Sequence, residues 1–221
     1  MSKLIKREQL KDFVFDGMSI MVGGFMAVGT PENLMDELVK INVKDLTIIC
    51  NDAGFVDKGV GKLISNGQVS KLIASHIGLN PMAGQLMSEG KLDVDLRPQG
   101  TMAEQIRAGG AGLGGILTPT GLGTIVEKDK KIISLEGKRY ILEPALKADL
   151  ALLYGAEVDN LGNTVYSKTT RNFNPVMATA TKHVIVLARK LVNEINPDHV
   201  LTPHIFIDNI IEEVQWWIEK R

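Results

Sequence analysis

The 221-residue chain carries 44% hydrophobic and 23% charged residues at a net charge of −1, which predicts one large α/β domain over residues 1–221 and excludes a basic surface built for nucleic acid or anionic membrane. Its one cysteine, Cys50, excludes an internal disulfide and a zinc site made from paired cysteines, as suits the reducing cytoplasm. Neither the amino-terminal MSKLIKREQLKDF nor any later stretch has an apolar run long enough for export or membrane insertion, so neither is expected.

Leu10, Phe13 and Val14 stand at helical spacing within Arg7–Phe15, and Asp16-Gly17 supplies the turn that ends that segment. Met18–Val22 is a short apolar strand that runs into Gly23-Gly24-Phe25-Met26-Ala27-Val28-Gly29. Thr30 then reads as an N-cap, Pro31 as the first helical residue and Glu32 as an acid in the first turn of a helix to Ile41, with Leu34, Leu38 and Ile41 on one stripe. A strand, a glycine loop and a helix N-terminus in that order offer unpaired N–H groups and a positive dipole end to a phosphate or carboxylate. The loop matches neither familiar phosphate motif: Met26 stands where a dinucleotide fingerprint needs glycine, and Thr30 where a P-loop needs lysine. A tight packing turn is the competing reading.

Leu46–Cys50 is a buried strand ending at Asn51-Asp52-Ala53-Gly54, where Asn51 is either a ligand contact or a turn-forming residue. Gly61–Asn66 reads as a short helix, Val69–Ala74 as a strand ending near Ser75-His76, and Asn80-Pro81 as the start of a helix that Glu89-Gly90 closes. His76, with no visible carboxylate partner, reads as a hydrogen-bonded structural residue rather than a general base. Leu92–Arg97 alternates apolar and polar side chains, the period of a strand with one buried face. Thr101 and Glu104 form a capping box for a helix ending at Ala108, and eight of the 22 glycines fall within Pro98–Thr124, which predicts a shaped loop. Gln99 thus occupies a strand-to-helix corner, as do Gly23 and Asn51. In one parallel sheet, three such corners share the crevice where α/β proteins bind ligands.

Beyond Thr124, Lys131–Leu135 and Arg139–Leu142 flank Glu136-Gly137-Lys138 as a hairpin, Leu150–Tyr154 and His183–Leu187 are apolar strands, and 159–163 is a turn cluster. Ile207, Ile210, Ile211, Val214, Trp217 and Ile218 fit one face of a carboxy-terminal amphipathic helix, with Trp216 off that face as a candidate subunit contact. No internal repeat is expected.

Val22-Gly23-Gly24-Phe25 with Gly29-x-Pro31, Asn51 after a strand, Pro98-Gln99-Gly100-Thr101, Arg107-Ala108-Gly109-Gly110-Ala111-Gly112 and Thr118-Pro119-Thr120-Gly121 resemble, in order and spacing, the family I coenzyme A transferases. The likeness is to their α (A) subunits of the acetate/acetoacetate or butyrate–acetoacetate type, and it runs from about Gly17 to Asp208. It implies an open, largely parallel central sheet flanked by helices. It also implies ping-pong exchange of CoA between short-chain carboxylates through a glutamyl-CoA thioester, with coenzyme A or acyl-CoA as substrate and no permanently bound cofactor or metal. The nucleophilic glutamate of that chemistry belongs to a β subunit, so the resemblance implies an α2β2 assembly. By position it places Gly23, Gly24, Phe25, Met26, Ala27, Val28 and Gly29 on the coenzyme side, and Asn51 and Gln99 facing the reacting carbonyl. Two other readings stay open from the residues: a nicotinamide-dependent dehydrogenase, against which the broken glycine fingerprint speaks, and a sugar-phosphate or nucleotide sensor, which lacks a DNA-binding module.

Overall fold

The computed structural model describes residues 2–213. A 3-10 turn over Arg7–Phe13 precedes β1 (Ser19–Val22), α1 (Glu32–Ile41), β2 (Leu46–Ile49), α2 (Gly61–Ser65), β3 (Val69–Ala74), α3 (Pro81–Ser88), β4 (Asp93–Leu96) and α4 (Gln99–Gly110). Then come β5 (Gly115–Thr118), β6 (Ile132–Leu135), β7 (Lys138–Pro144), β8 (Ala148–Gly155), β9 (Glu157–Asp159) and β10 (Thr164–Val165). Helix α5 (Asn174–Met177), β11 (Thr181–Ala188), β12 (Leu191–Val192) and β13 (Asn209–Glu212) complete the described chain.

Seven strands form one parallel sheet in the order β13-β11-β8-β1-β2-β3-β4. Its central strands are apolar on both sides, because successive side chains of a strand point to opposite faces and both faces are covered. Ile20, Val22, Ile48, Leu150, Leu152, Ile185 and Leu187 pack against α1, α2 and α3 through Leu34, Leu38, Leu63 and Ala83. Met21, Ile49, Ala151, Leu153, Val184 and Val186 pack in one cluster with Met102 and Ile106 of α4, Met177 of α5 and Phe173 just before it. The edge strand β4 shows the weaker pattern expected of an edge, with Leu96 half exposed.

Several sequence expectations about the elements need correction. The first helical segment is a 3-10 turn that opens with the Lys6 N–H donating to Gln9 Oε1 at 2.9 Å and stops at Phe13. Helix α4 starts at Gln99, so Thr101 lies inside it, buried and with its hydroxyl unpartnered, while Glu104 pairs with Arg107 instead of capping. The same helix runs on through Gly109 and Gly110, where a Cβ would collide with the Leu146 carbonyl oxygen and the Thr179 hydroxyl respectively. Glycine is required there for close packing, and Gly115–Thr118 beyond it is a strand, paired antiparallel with β7. Finally, Asn209–Glu212 is a parallel edge strand on β11, not the start of a helix, and Ile207 precedes it. Its pairing Ile210↔Val186 overrides a pattern that suits either element. Val214, Trp216, Trp217 and Ile218 lie outside the described residues.

The lower edge of the sheet is tied by Asp149 at the start of β8. Its carboxylate accepts the Ser19 N–H at 2.9 Å, the Ser19 hydroxyl at 2.8 Å and the Lys182 ammonium at 2.7 Å. Lys182 first, then Ser19, holds this carboxyl at about 2, below its usual 3.8. A depressed folded-state value contributes stability above about pH 4 and loses it as pH falls towards 2. Because Lys182 is largely exposed and screened, Asp149→Asn is expected to cost only about 1 kcal/mol at pH 6, and less at pH 2.5. Urea unfolding of both proteins at the two pH values checks this; an unchanged gap would contradict it.

Candidate active site

Because all seven strands of the main sheet are parallel, the corners after β1, β2, β3 and β4 open at one edge. Gly23, Asn51, Ser75-His76 and Gln99 stand there in that order, as the apolar strand pattern predicts. The strand order reverses between β1 and β8, so the glycine loop leaves the sheet at its switch point, the usual position of a ligand crevice.

The loop doubles back on itself. Phe25 and Val28 exchange both backbone hydrogen bonds, at 3.0 and 2.9 Å, around Met26 (φ 48°) and Ala27 (φ 63°). Phe25, Met26 and Val28 are exposed at its tip, while Gly23, Gly24, Gly29 and Thr30 are buried at its base. Thr30 does not cap α1. Its hydroxyl points back to where a Gly24 Cβ would sit, and the Glu32 N–H bonds the Thr30 carbonyl at 2.9 Å. The start of α1 is itself covered: the Glu32 carboxylate accepts the Gly59 N–H at 2.8 Å and meets Lys62 at 2.7 Å. The space behind the loop, lined by Gly23, Gly24, Thr30, Asp52 and Gly59, is about 10 Å³ and holds about one water. A phosphate does not fit there, so the loop meets any large ligand with its exposed tip.

Asn51 is 1% exposed and turned inward. Its amide nitrogen donates to Asp52 at 2.8 Å, and the Ser75 hydroxyl donates to its backbone carbonyl at 2.7 Å and to its side-chain oxygen at 3.3 Å. Gln99 is placed differently: exposed at the first position of α4, its side chain makes no hydrogen bond within the described residues. Together with Phe25, Ala103, Phe173, Val176 and Phe206 it lines a cavity of about 560 Å³ whose charged members are Arg107 and Arg171. That volume lies within the range of small-molecule and cofactor sites. The structure therefore brings Gln99 and the loop tip together at one cavity and keeps Asn51 below the surface.

Three carboxylates that flank these corners, Asp52, Glu32 and Glu104, are each engaged within the described residues. Asp52 accepts three N–H groups, Glu32 is held by Gly59 and Lys62, and Glu104 by Arg107. The Cys50 thiol is buried, and that burial, with the Asp52 charge beside it, pushes its pKa well up and leaves it protonated.

Two features were not read from the sequence. Asn172 and Asn174, from Arg171-Asn172-Phe173-Asn174-Pro175, clamp the glycine loop from across the switch point. Asn172 accepts the Gly24 N–H at 3.1 Å and donates to the Val28 carbonyl at 2.9 Å, and Asn174 donates to the Gly29 carbonyl at 3.0 Å. The Asn-Pro step was a visible turn signal, but its contact with Gly24 is long-range. The second is a short repeat: Gly24-Phe25-x-x-x-Gly29 recurs as Gly54-Phe55-x-x-x-Gly59, and Phe55 and Lys58 exchange the same pair of backbone bonds as Phe25 and Val28. It spans too few residues to register as a domain-scale repeat.

The family model described as Coenzyme A transferase matches residues 6–213. The chain is 54% identical over 214 residues, covering 96% of this chain and 98% of the relative, to the acetoacetyl-CoA:acetate/butyrate CoA transferase alpha subunit of Clostridium acetobutylicum. It is 52% identical over 212 residues, 95% of this chain and 96% of the relative, to the acetate CoA-transferase subunit alpha of Escherichia coli K12. Among solved structures, an acyl-CoA transferase from Escherichia coli O157:H7, as a thioester complex with CoA, superposes with a TM-score of 0.85 at 20% identity. The match covers 96% of this chain and 47% of that longer one. Glutaconate coenzyme A-transferase from Acidaminococcus fermentans gives 0.82 at 19% identity, over 96% of this chain and 75% of that one.

Proposed function

The chain belongs to the coenzyme A transferase family, and we infer from this that it is the α subunit of a short-chain acyl-CoA:carboxylate CoA-transferase of the acetate, butyrate and acetoacetate type. It works with a β subunit, as α2β2, in the cytoplasm. The β subunit supplies a glutamate whose carboxylate attacks the acyl-CoA carbonyl. CoA thiolate leaves, then attacks the glutamyl carbonyl of the resulting anhydride, releasing the first acid and leaving a glutamyl-CoA thioester. The acceptor acid runs these steps in reverse.

The single observation that carries this reading for the site is the cavity bounded by Phe25, Phe173 and Gln99. Its apolar wall suits a pantetheine arm, its two guanidinium groups suit phosphates, and the Gln99 amide, unbonded within the described residues, suits a carbonyl oxygen that becomes negative in each attack. Gly23–Gly29 lies on the coenzyme side and presents its tip. Asn51 lies at the same edge, buried and donating to Asp52, and acts there through that carboxylate.

The purified chain, alone and coexpressed with a β subunit, is to be assayed for CoA exchange among acetate, butyrate and acetoacetate. Exchange is expected only from the pair. Full turnover by this chain alone would overturn the division of labour.

A further inference from the structure

The two short loops differ in one respect that the repeat makes measurable. In the second, Val56 and Asp57 take ordinary negative φ values, whereas Met26 and Ala27 in the first are both left-handed, a conformation L-residues rarely adopt. Something must hold that pair. The Met26 N–H donates to Asp52 Oδ2 at 2.8 Å, and the equivalent N–H of Val56 has no hydrogen bond within the described residues. Asp52 is 5% exposed, and its other donors are Asn51 Nδ2 at 2.8 Å and the Gly54 N–H at 2.9 Å. One carboxylate thus joins the left-handed turn of the first loop, the base of the second and the Asn51 amide.

We propose that Asp52 is a positioning residue for CoA transfer: it sets the left-handed conformation of the Phe25–Val28 turn and so presents the loop tip to the coenzyme. The proposal rests on the reading that Gly23–Gly29 lies on the coenzyme side. Three N–H donors converge on Asp52, so only an acceptor at both oxygens satisfies them. An amide would turn a donor towards one of them.

The test uses the assembled enzyme. In the wild type, the Met26 amide is expected to exchange with solvent at least about 10-fold more slowly than that of Val56, although both sit at loop tips. Asp52→Asn is expected to remove that difference, leave protection of Leu46–Ile49 unchanged, and lower kcat/KM for acyl-CoA about 10-fold or more. Ala27→Gly in the Asp52→Asn background is expected to recover part of that loss, because glycine takes positive φ without a steric penalty. Equal wild-type exchange at Met26 and Val56 overturns the proposal even if the variant fails to fold. Uniform loss of protection across loop and strand, with no recovery by glycine, assigns Asp52 to general stability and also overturns it. A loosened loop with unimpaired kinetics keeps the clamp and faults the coenzyme-side reading instead.

Discussion

Gln99→Ala in the assembled enzyme is expected to lower kcat about 10²- to 10³-fold while KM for acyl-CoA changes little, the pattern of an interaction made only in the transition state. The side chain stands at the first position of α4, faces the cavity and makes no hydrogen bond within the described residues, so truncation breaks no hydrogen bond there. What is lost is a neutral N–H donor beside a carbonyl oxygen that becomes negative when carboxylate or thiolate adds to it. The ground-state carbonyl needs that donor far less than the tetrahedral oxyanion does, so the effect falls on kcat. Steady-state kinetics with both substrates, together with a thermal midpoint matching the wild type, checks it. Turnover at the wild-type rate would remove Gln99 from the site.

The main sheet was legible because a parallel strand covered on both faces reads as a continuous apolar run. Met18–Val22, Leu46–Cys50, Val69–Ala74, Leu150–Tyr154 and His183–Leu187 each fall on a strand of that sheet within a residue or two. The corners after the first two of these strands and after the alternating Leu92–Arg97 strand follow from topology, which is why Gly23, Asn51 and Gln99 could be grouped before any contact was known. Contacts between distant segments were not legible. Thr30 and Thr101 carry sound local capping signals, yet Gly24 draws the first inward and α4 begins ahead of the second. Ile207, Ile210 and Ile211 satisfy a helical spacing, and only a partner at β11 makes the last two a strand. Likewise nothing near Asn174 in sequence indicates that its amide lies against Gly23.

That last contact sets up the variant expected to do most harm to the fold and the site at once. Gly23 continues β1 at the switch point, its N–H bonded to the Leu152 carbonyl at 3.0 Å, and a Cβ there would collide with the Asn174 side-chain oxygen. Asn174 is fully buried and cannot step aside cheaply. Its Oδ1 accepts the Tyr154 N–H at 3.0 Å, and its Nδ2 donates to the carbonyls of Gly29 at 3.0 Å and Thr170 at 2.9 Å. Gly23→Ala must therefore break this set or shift the loop, at an expected cost of about 2–4 kcal/mol in urea unfolding. Coexpressed with its β subunit, the variant is expected to retain less than about 1% of CoA exchange, since a small misplacement of a positioning loop is amplified in rate. A double-mutant cycle separates the collision from any intrinsic cost of alanine. Asn174→Ala alone leaves buried backbone groups unpaired, but it also removes the obstacle, so adding Gly23→Ala to it is expected to cost at least about 1 kcal/mol less than adding it to the wild type. Strict additivity would mean that the two residues do not meet, and that the glycine at the end of β1 answers to something other than Asn174.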